Sequence, residues 1–507
     1  MKPNQLKAGV VLSYLAQGIN VIVQLVYTPF MLRILGEQEY GLYSLVSSAI
    51  GYLSLLSFGI GGAYLRFYFK EKKEHGEKGV AQLNAMFLIV YIAIAAAALV
   101  IGFLLALHPD VIFGSKLTSA ELDKSRILLF LMALTTTVSL PNTVFTSYIM
   151  AHERYVMLRG CSIFISVLTP LLSLPLLLMG AGSVGIVCVA LFLQFTVSVC
   201  YILYSFKSLN IQFLFVGMRW STLKEVYVFS FFLFLNQIID QINWHMDSLL
   251  LGRFWGTSEV AVYSLAGRIN SLYIAFSTAI SSVLAPRVNR IVRSGENMDV
   301  QLNALMLRTG RIQFLVLAPI LMGLILLGRP FLLWMGGSKS FLRSYPVLLL
   351  LIIPATIPLV QNLGIEIQRA KNKHQFRALI YAIMALLNVG ISIPLSRDYG
   401  AVGAAVGTAI SLTVGNGFVM NWYYHNHLDL NMLFFWKGFS SLFRGAILPV
   451  IYCLVCTLCF DTYDVFTFLA VGVGLVLIYI LSMWLIGMNS DEKKMLCKPF
   501  QRFARKM

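Results

Sequence analysis

The sequence predicts an all-α polytopic membrane protein with about fourteen transmembrane helices. Hydrophobic residues fill 58% of its 507 positions and charged residues only 12%, whereas soluble domains carry about 25% charged residues. Apolar stretches recur along the whole chain, and each is long enough to cross a hydrocarbon core of about 30 Å. Since no stretch resembles a soluble domain, we expect none.

The predicted spans follow one another with short connections. The first is too long for the apolar region of a signal peptide, so we expect the chain to retain it. The approximate bounds of the fourteen spans are 9–32, 41–65, 82–107, 127–150, 156–179, 183–206, 226–251, 258–284, 312–328, 346–368, 377–395, 400–424, 445–460 and 465–487.

The distribution of basic residues predicts the orientation. With the amino terminus placed inside, 29 Lys and Arg fall on the inner side, nine on the outer side and Arg268 within a span. Cytoplasmic loops carry such an excess, so we expect both termini in the cytoplasm. The net charge of +17 is attributed to topology and to anionic inner-leaflet lipid. No nucleic acid partner is expected, because the basic residues are dispersed through short loops.

Two local repeats indicate an internal duplication. The stretches RILGEQEYGLYSL at 33–45 and RFWGTSEVAVYSL at 253–265 share six identical positions at an offset of 220 residues. GSVG at 182–185 recurs as GAVG at 400–403. We therefore predict two six-helix lobes of the same orientation, 1–206 and 207–428, followed by two extra helices and a basic tail, 429–507. Parallel repeats around a central site are one layout of secondary transporters.

Polar side chains form stripes on three of the predicted spans: the first, the seventh and the eighth, where one face carries Ser264, Arg268, Ser271, Thr278 and Ser282. A charged side chain at the bilayer centre costs at least ~2.5–3.5 kcal/mol, so we expect these stripes to face the bundle interior or a watery cavity. At 100° per residue, one narrow face of the seventh span carries Asn236, Asp240, Asn243 and Asp247, and one face of the first span carries Gln17, Asn20 and Gln24.

Depth along the helices predicts one specific pair. At about 1.5 Å per residue, Asp240 and Arg268 both lie roughly 15 Å below the outer surface. We expect them to face one another or a common cavity; the alternative is a fixed ion pair that only joins two helices. Asp247 lies nearer the outer surface, where the alternative to a functional role is a hydrated carboxylate. His245 points away from the stripe and is expected to be a packing residue.

Three other features have competing interpretations. Arg66 at the inner boundary of the second span could meet an anionic headgroup or extend toward the interface. The CxxCxxC spacing at 453–459 lies in apolar surroundings without further ligands, so we expect buried cysteines rather than a metal site. Glu37 and Glu39 resemble the acidic motif of membrane glycosyltransferases, but their short loop leaves no room for a substrate pocket.

Longer stretches carry a resemblance to a known family. LLSFGIGGAYLRF at 55–67 is a glycine-rich turn that leads into an arginine, and DYGAVGAAVGTAI at 398–410 is a glycine–alanine span. With the fourteen predicted spans, they resemble the Wzx-like polysaccharide flippases of the multidrug/oligosaccharidyl-lipid/polysaccharide (MOP) exporter superfamily. The stretch 251–290 is similar to the family's seventh-to-eighth-span segment, whose pattern falls here on Tyr263, Ala266, Arg268, Ile269, Pro286 and Arg287.

The resemblance implies a flippase of a bacterial or archaeal cytoplasmic membrane. Its substrate would be polyprenyl-pyrophosphate-linked oligosaccharide, moved from the inner to the outer leaflet by alternating access. Arg268 and Arg66 would bind the pyrophosphate, Asp240 and Asp247 would couple transport to H⁺ or Na⁺, and no cofactor is expected. Membrane lipid, a polysaccharide polymerase and glycosyltransferases are the expected partners. The amides that would bind sugar hydroxyls are Gln17, Asn20, Gln24, Asn236 and Asn243.

The first span carries no arginine, unlike the family's cavity, which argues against the lipid II flippase branch. Two alternatives stay open. A cation-coupled multidrug exporter of the same superfamily would normally have twelve spans. A membrane polymerase or glycosyltransferase would carry its chemistry on a sizeable outer loop, but the outer loops 108–126 and 329–345 contain no paired carboxylates. We therefore do not expect an enzyme.

Overall fold

The described part of the chain is built from helices. The structure is a computed structural model that describes residues 4–218, 220–373 and 375–494, and no strand occurs within these ranges. Ten of the described helical stretches are long and apolar enough to cross a membrane, or eleven if a bent pair counts as one span. The prediction of an all-α, multi-pass membrane protein is therefore confirmed.

The chain divides into two compact units, one of Met1–Ser264 with Ile393–Ala404 and the other of Leu265–Ser392 with Ala405–Met507. The predicted lobe boundaries at residues 206 and 428 remain a prediction. The first unit contains α1 (Asn4–Gly51), α2 (Ile60–Leu107), α3 (Pro109–Phe113), α4 (Ser119–Ala151), α5 (Tyr155–Leu178), α6 (Gly182–Lys207), α7 (Trp220–Trp255) and the beginning of α8 (Thr257–Ser294).

The second unit contains most of α8 and all but one section of α13. Its other helices are α9 (Met298–Leu326), α10 (Gly328–Gly336), α11 (Ser344–Val360), α12 (Leu363–Ala370), α14 (Met420–His427), α15 (Met432–Lys437), α16 (Ser440–Cys459) and α17 (Val465–Ser482), with α13 spanning Gln375–Leu412. A π-helix, Thr413–Val419, joins α13 to α14.

Glycines with positive φ break the longest helices. Gly36 (φ 75°) interrupts α1, Gly76 (φ 61°) interrupts α2 and Gly400 (φ 60°) interrupts α13. Glycine adopts this backbone conformation without the steric cost of a Cβ. The stretch 15–107 runs for 93 residues, far beyond the ~20 residues of one span, so these breaks separate spans. The exact count of fourteen and the placement of both termini remain predictions.

An aromatic core holds the first unit together. It draws on α2, α4 and α6 and includes Tyr64, Phe67, Phe87 and Tyr148, all buried. The rings of Tyr64 and Phe87 meet edge to face with their centroids 5.1 Å apart, the arrangement that the ring quadrupoles favour. The Tyr64 hydroxyl donates to Asn84 Oδ1 at 2.5 Å, so its polar tip is satisfied inside the core.

In the first unit, the first copy of one repeat (33–45) contacts the first copy of the other (182–185). The carboxylate of Glu39, in the first repeat, accepts hydrogen bonds from the Ser183 backbone N–H at 2.6 Å and the Ser183 hydroxyl at 2.8 Å, at the start of α6. Lys124 lies 2.6 Å from the same carboxylate. Glutamate is favourable here because the first N–H groups of a helix lack intrahelical acceptors.

The second half repeats this contact. Glu259, the equivalent of Glu39, accepts a hydrogen bond from the Ala401 backbone N–H at 3.0 Å, just after the break in α13. Gly182 and Gly400 precede the two capped N–H groups and have φ of 58° and 60°. Each copy of the first repeat therefore supplies a glutamate that caps a backbone N–H group in a copy of the second repeat. We call the two contacts the glutamate caps.

The carboxyl-terminal segment is anchored inside the second unit. Arg311 on α9 is buried and forms a two-fold ion pair with Glu492, with N–O distances of 2.6 and 2.9 Å. Its guanidinium also donates to the carbonyls of Gly438 and Gly487. Bidentate pairing of this kind fixes orientation as well as distance. The segment after α17 is therefore held against α9.

The cysteines of α16 show no metal site. Cys453 and Cys456 are buried and pack with Val471 and Leu475 of α17. Cys459 is exposed, so the expectation of burial is wrong for this residue. Six residues rotate a helix by about 240°, which turns Cys459 away from the face that carries Cys453. Within residues 4–218, 220–373 and 375–494, no group of three or more His, Cys, Asp or Glu side chains could hold a metal ion.

Candidate functional site

The polar stripe of α7 lies on one continuous helix of the first unit. Asn236 and Asp240 are exposed, Asn243 is half-buried and Asp247 is buried. Helical geometry places them on the same side because their spacings of three and four residues match the helical repeat. The stripe therefore runs from an exposed end at Asn236 and Asp240 to a closed, buried end at Asp247.

Asp247 forms the closed end of the stripe. Its side chain is 3% exposed, and its carboxylate accepts a hydrogen bond from the Tyr263 hydroxyl on α8. The alternative expectation of a hydrated carboxylate is therefore wrong. Tyr263 lies in the stretch 253–265, the second copy of the longer repeat. The helical periodicity of the polar residues gave no reason to assign a role to it.

The opposite face of α7 packs against the short helix Tyr52–Ser57. The His245 ring meets Tyr52 edge to face with centroids 6.4 Å apart, and Gln241 Nε2 donates to Ser54 Oγ at 3.1 Å. The expectation that His245 is a packing residue is confirmed. These contacts fix the rotation of α7 and therefore the direction of its polar stripe.

The stripe of α1 is an amide pair with one exposed neighbour. Gln24 Nε2 donates to Asn20 Oδ1 at 2.9 Å, one helical turn away. Asn20 and Gln24 are half-buried, whereas Gln17 is exposed. An amide carries two donors and an acceptor with two lone pairs, so this pair keeps capacity for further hydrogen bonds.

Arg66 is exposed on α2, next to an aromatic ring. Its guanidinium carbon lies 4.6 Å from the centroid of the Phe229 ring on α7, a cation–π geometry. No carboxylate in the described part of the chain lies within ion-pair distance of it. Stacking occupies the face of the guanidinium and leaves its N–H groups at the edge, which suits a phosphate. Both interpretations of Arg66 stay open.

Arg268 is half-buried on α8 and belongs to the second unit, whereas Asp240 belongs to the first. Their pairing therefore remains a prediction, and so do the roles assigned to all nine site residues. Within the first unit, the structure places Asn236, Asp240, Asn243 and Asp247 on one helix, Gln17, Asn20 and Gln24 on another and Arg66 on a third.

Comparison with known proteins agrees with the fold and the sequence pattern. The family described as "Polysaccharide biosynthesis protein" matches residues 30–340. A putative O-antigen transporter of Shigella flexneri is 20% identical over 80% of this chain and 94% of its own length.

Solved structures of low sequence identity share the fold. The lipid II flippase MurJ in an inward closed conformation superimposes with a TM-score of 0.73 at 15% identity, covering 93% of this chain and 98% of its own. An inward-facing MATE-family multidrug resistance transporter of the MOP superfamily gives 0.63 at 15% identity, covering 80% and 95%. The family match spans more than half of the sequence and confirms the resemblance found there, so the chain belongs to the polysaccharide biosynthesis protein family.

Proposed function

We propose that the protein is a flippase that moves polyprenyl-pyrophosphate-linked oligosaccharide from the inner to the outer leaflet of the cytoplasmic membrane. The polar stripe of α7 carries this proposal, because Asn236 and Asp240 are exposed on a membrane-length helix. A helix with a purely structural role would bury or replace such groups, since they are costly in lipid. Family membership and the putative O-antigen transporter of S. flexneri support the same substrate class.

The residues divide into three roles under this proposal. The amides of α1 and α7 bind sugar hydroxyls, which need many donors and acceptors but little charge. Arg268 and Arg66 bind the pyrophosphate, because guanidinium N–H groups match phosphate oxygens. Asp240 and Asp247 balance the arginine charge when the substrate is absent, or take up H⁺ or Na⁺ during turnover.

A deletion strain provides the decisive experiment. We expect lipid-linked oligosaccharide to accumulate in its inner leaflet, and the wild-type gene to relieve that accumulation. Arg268→Ala should fail to relieve it, and Asp240→Asn should lower transport. Arg126→Ala is the matched control, because Arg126 is exposed and pairs with Asp123 three residues away, at 2.8 Å. Full transport by both Arg268→Ala and Asp240→Asn would remove the site assignment.

The second candidate function is cation-coupled drug export. The MATE neighbour supports it, although that structure covers less of this chain than MurJ does. If deletion leaves lipid-linked sugar unchanged but alters sensitivity to cationic drugs, the protein is a drug exporter rather than a flippase. Asp240 and Asp247 would then form the cation site of that exporter. A sugar-polymerising enzyme is not proposed, because the Glu39 carboxylate is occupied as a helix cap.

A further inference from the structure

Arg377 is a half-buried cation of the second unit that the proposed transport cycle does not use. It lies in the first turn of α13. No carboxylate of the described residues comes within ion-pair distance of its guanidinium group. A cation that is withdrawn from water loses hydration, so proteins normally place an anion beside it. Within the described part of the chain, the charge of Arg377 is therefore unbalanced.

Two basic residues just before Arg377 do have such partners. Arg369 Nη1 lies 3.0 Å from Glu366 Oε1, and Lys371 Nζ lies 3.0 Å from Asp299 Oδ1. Both carboxylates belong to the second unit. The carboxylates that contact this basic run are therefore paired with other cations.

Tyr381 and the π-helix fix the position of the Arg377 guanidinium. The guanidinium carbon lies 4.6 Å from the centroid of the Tyr381 ring, and Nη2 donates to the Tyr381 hydroxyl at 3.0 Å. That hydroxyl donates to Asn416 Oδ1 at 2.8 Å, inside the π-helix Thr413–Val419. Because π-helices are rare and occur frequently at functional sites, this contact singles out Arg377 for a role beyond packing.

The π-helix is tied to its surroundings by Asn421 of α14. Asn421 Nδ2 donates to the carbonyls of Asn416 and Gly417, both at 2.9 Å. Its Oδ1 accepts hydrogen bonds from Gln361 Nε2 at 2.8 Å and from Trp436 Nε1 at 2.9 Å. The guanidinium is therefore held by a continuous network before any ligand binds, and such preorganisation lowers the entropic cost of binding.

One nitrogen of the Arg377 guanidinium has no acceptor. Nη2 donates to Tyr381, but Nη1 is shielded from solvent and finds no hydrogen-bond partner among the described residues. An enclosed N–H group without an acceptor is unfavourable, the more so when it is charged. The side chain as a whole is half-buried, so a small rotation of the guanidinium would present Nη1 to a ligand at its exposed part.

We infer that Arg377 binds a phosphate group at the inner surface of the membrane. The N–H groups of a planar guanidinium match phosphate oxygens in pairs, and the first turn of a helix adds positive potential. In the predicted orientation, the span that begins at residue 377 starts on the inner side. A phospholipid headgroup and a pyrophosphate both present the required oxygens.

The site has a use in transport that rests on the proposed function. A lipid-linked oligosaccharide begins its path in the inner leaflet, and its pyrophosphate carries the oxygens that a guanidinium recognises. Arg377 would then bind the substrate on the second unit, whereas Arg66 belongs to the first. Phosphate binding itself does not depend on that function.

Ligand titration of the purified full-length protein in a neutral detergent tests the inference. All measurements use the Arg66→Ala, Arg268→Ala background, so that the proposed transport site does not contribute. We expect a saturable rise in apparent melting temperature with phosphatidylglycerol in mixed micelles or with inorganic pyrophosphate. Diacylglycerol and NaCl of equal ionic strength should give no such rise. A response to phosphatidylglycerol alone assigns the site to a lipid headgroup, and a response to pyrophosphate alone assigns it to a pyrophosphate.

Variants of the basic run connect the response to Arg377. Arg377→Gln should weaken the apparent affinity roughly tenfold or more, because the charge-assisted paired contact is lost. Arg377→Lys keeps the charge without the planar fork and should weaken it less. Arg369→Gln is the matched control: it removes an exposed arginine eight residues away, and its response should equal that of the background.

Three outcomes would overturn the site. The first is no saturable response to either phosphate compound, and the second is an unchanged response in Arg377→Gln. The third is a purely structural role, in which Arg377→Gln lowers the melting temperature of the ligand-free protein but leaves the ligand-induced rise intact. Failure of the flippase proposal is read separately, from the leaflet distribution of lipid-linked sugar in cells.

Discussion

Tyr263 and Asp247 form a polar contact between two buried residues of the first unit, 7% and 3% exposed. Tyr263→Phe removes the hydroxyl and with it one hydrogen bond to a buried carboxylate. A hydrogen bond to a charged group contributes about 1.5–3 kcal/mol. We therefore expect a lower apparent melting temperature for the purified variant.

The matched control for this change is Tyr399→Phe. Tyr399 is 68% exposed, so loss of its hydroxyl should leave the melting temperature unchanged. If both variants melt together with the wild type, Tyr263 contributes nothing to holding Asp247, and the closed end of the stripe has another origin.

The sequence predicted the stripe but not the partners of its members. A period of 3.6 residues puts Asp240 and Asp247 on one face, because that relation depends only on the backbone of a single helix. Burial of Asp247 depends on which neighbouring helix covers it, and Tyr263 lies sixteen residues further along the chain. Periodicity carries no information about that neighbour, so the expectation of hydration failed there.

At the scale of the helices, each glutamate cap requires a glycine directly before the capped N–H group, Gly182 in one case and Gly400 in the other. Gly182→Ala places a Cβ well inside van der Waals contact with the Glu39 carboxylate, whereas Gly400→Ala places one 3.0 Å from Glu259 Oε2. Both changes also strain a backbone of positive φ, at a cost of about 1–3 kcal/mol. We expect Gly182→Ala to lower the apparent melting temperature more than Gly400→Ala does.

Gly76→Ala separates strain from steric clash. Gly76 has a φ of 61° close to that of Gly400, but nothing lies within 4 Å of its Cβ position. The melting temperature of the Gly76→Ala variant should fall only because of backbone strain. It should remain above the melting temperatures of Gly182→Ala and Gly400→Ala. If the melting temperature fell equally in all three variants, the steric clash with the glutamates would contribute nothing beyond the backbone strain.

The two repeats were visible in the sequence, but their contact was not. An offset of 220 residues relates Glu39 to Glu259, and a similar offset relates Gly182 to Gly400. Such offsets identify equivalent positions in two halves and say nothing about which positions touch within one half. The contact became apparent only when Glu39 of α1 and the start of α6 were placed in space.

At the scale of the whole molecule, the Arg311–Glu492 pair ties the carboxyl-terminal segment to the second unit. Breaking a buried ion pair by removing one partner costs about 3–5 kcal/mol, whereas replacing both partners with apolar residues is often neutral. We expect Glu492→Ala to lower the apparent melting temperature strongly, and Arg311→Met with Glu492→Leu to restore much of the loss.

The exposed pair Arg369–Glu366 supplies the control. Its side chains are 67% and 21% exposed with an N–O distance of 3.0 Å, and exposed pairs contribute about 0–1 kcal/mol. Glu366→Ala should therefore change stability little. A double variant no more stable than Glu492→Ala would indicate that the carbonyl contacts of Arg311 matter more than its ion pair.

Composition was sufficient for the fold class because 58% hydrophobic and only 12% charged residues differ clearly from soluble domains, which carry about 25% charged residues. The orientation of the spans rests on charge asymmetry alone and stays a prediction. Burial of Glu71 on α2 could not be predicted because it lies in the charged run KEKKEH at 70–75. Its side chain is 4% exposed, and its contact with Thr222 of α7 joins residues 151 positions apart.

Each glutamate cap can form only after the ribosome has synthesised both of its partners. Ser183 is synthesised 144 residues after Glu39, and Ala401 is synthesised 142 residues after Glu259. At about 5–20 residues per second on the ribosome, each wait lasts roughly 7–30 s. A nascent chain stalled before residue 183 therefore carries an uncapped carboxylate in its first half, and one stalled before residue 401 carries the same defect in its second.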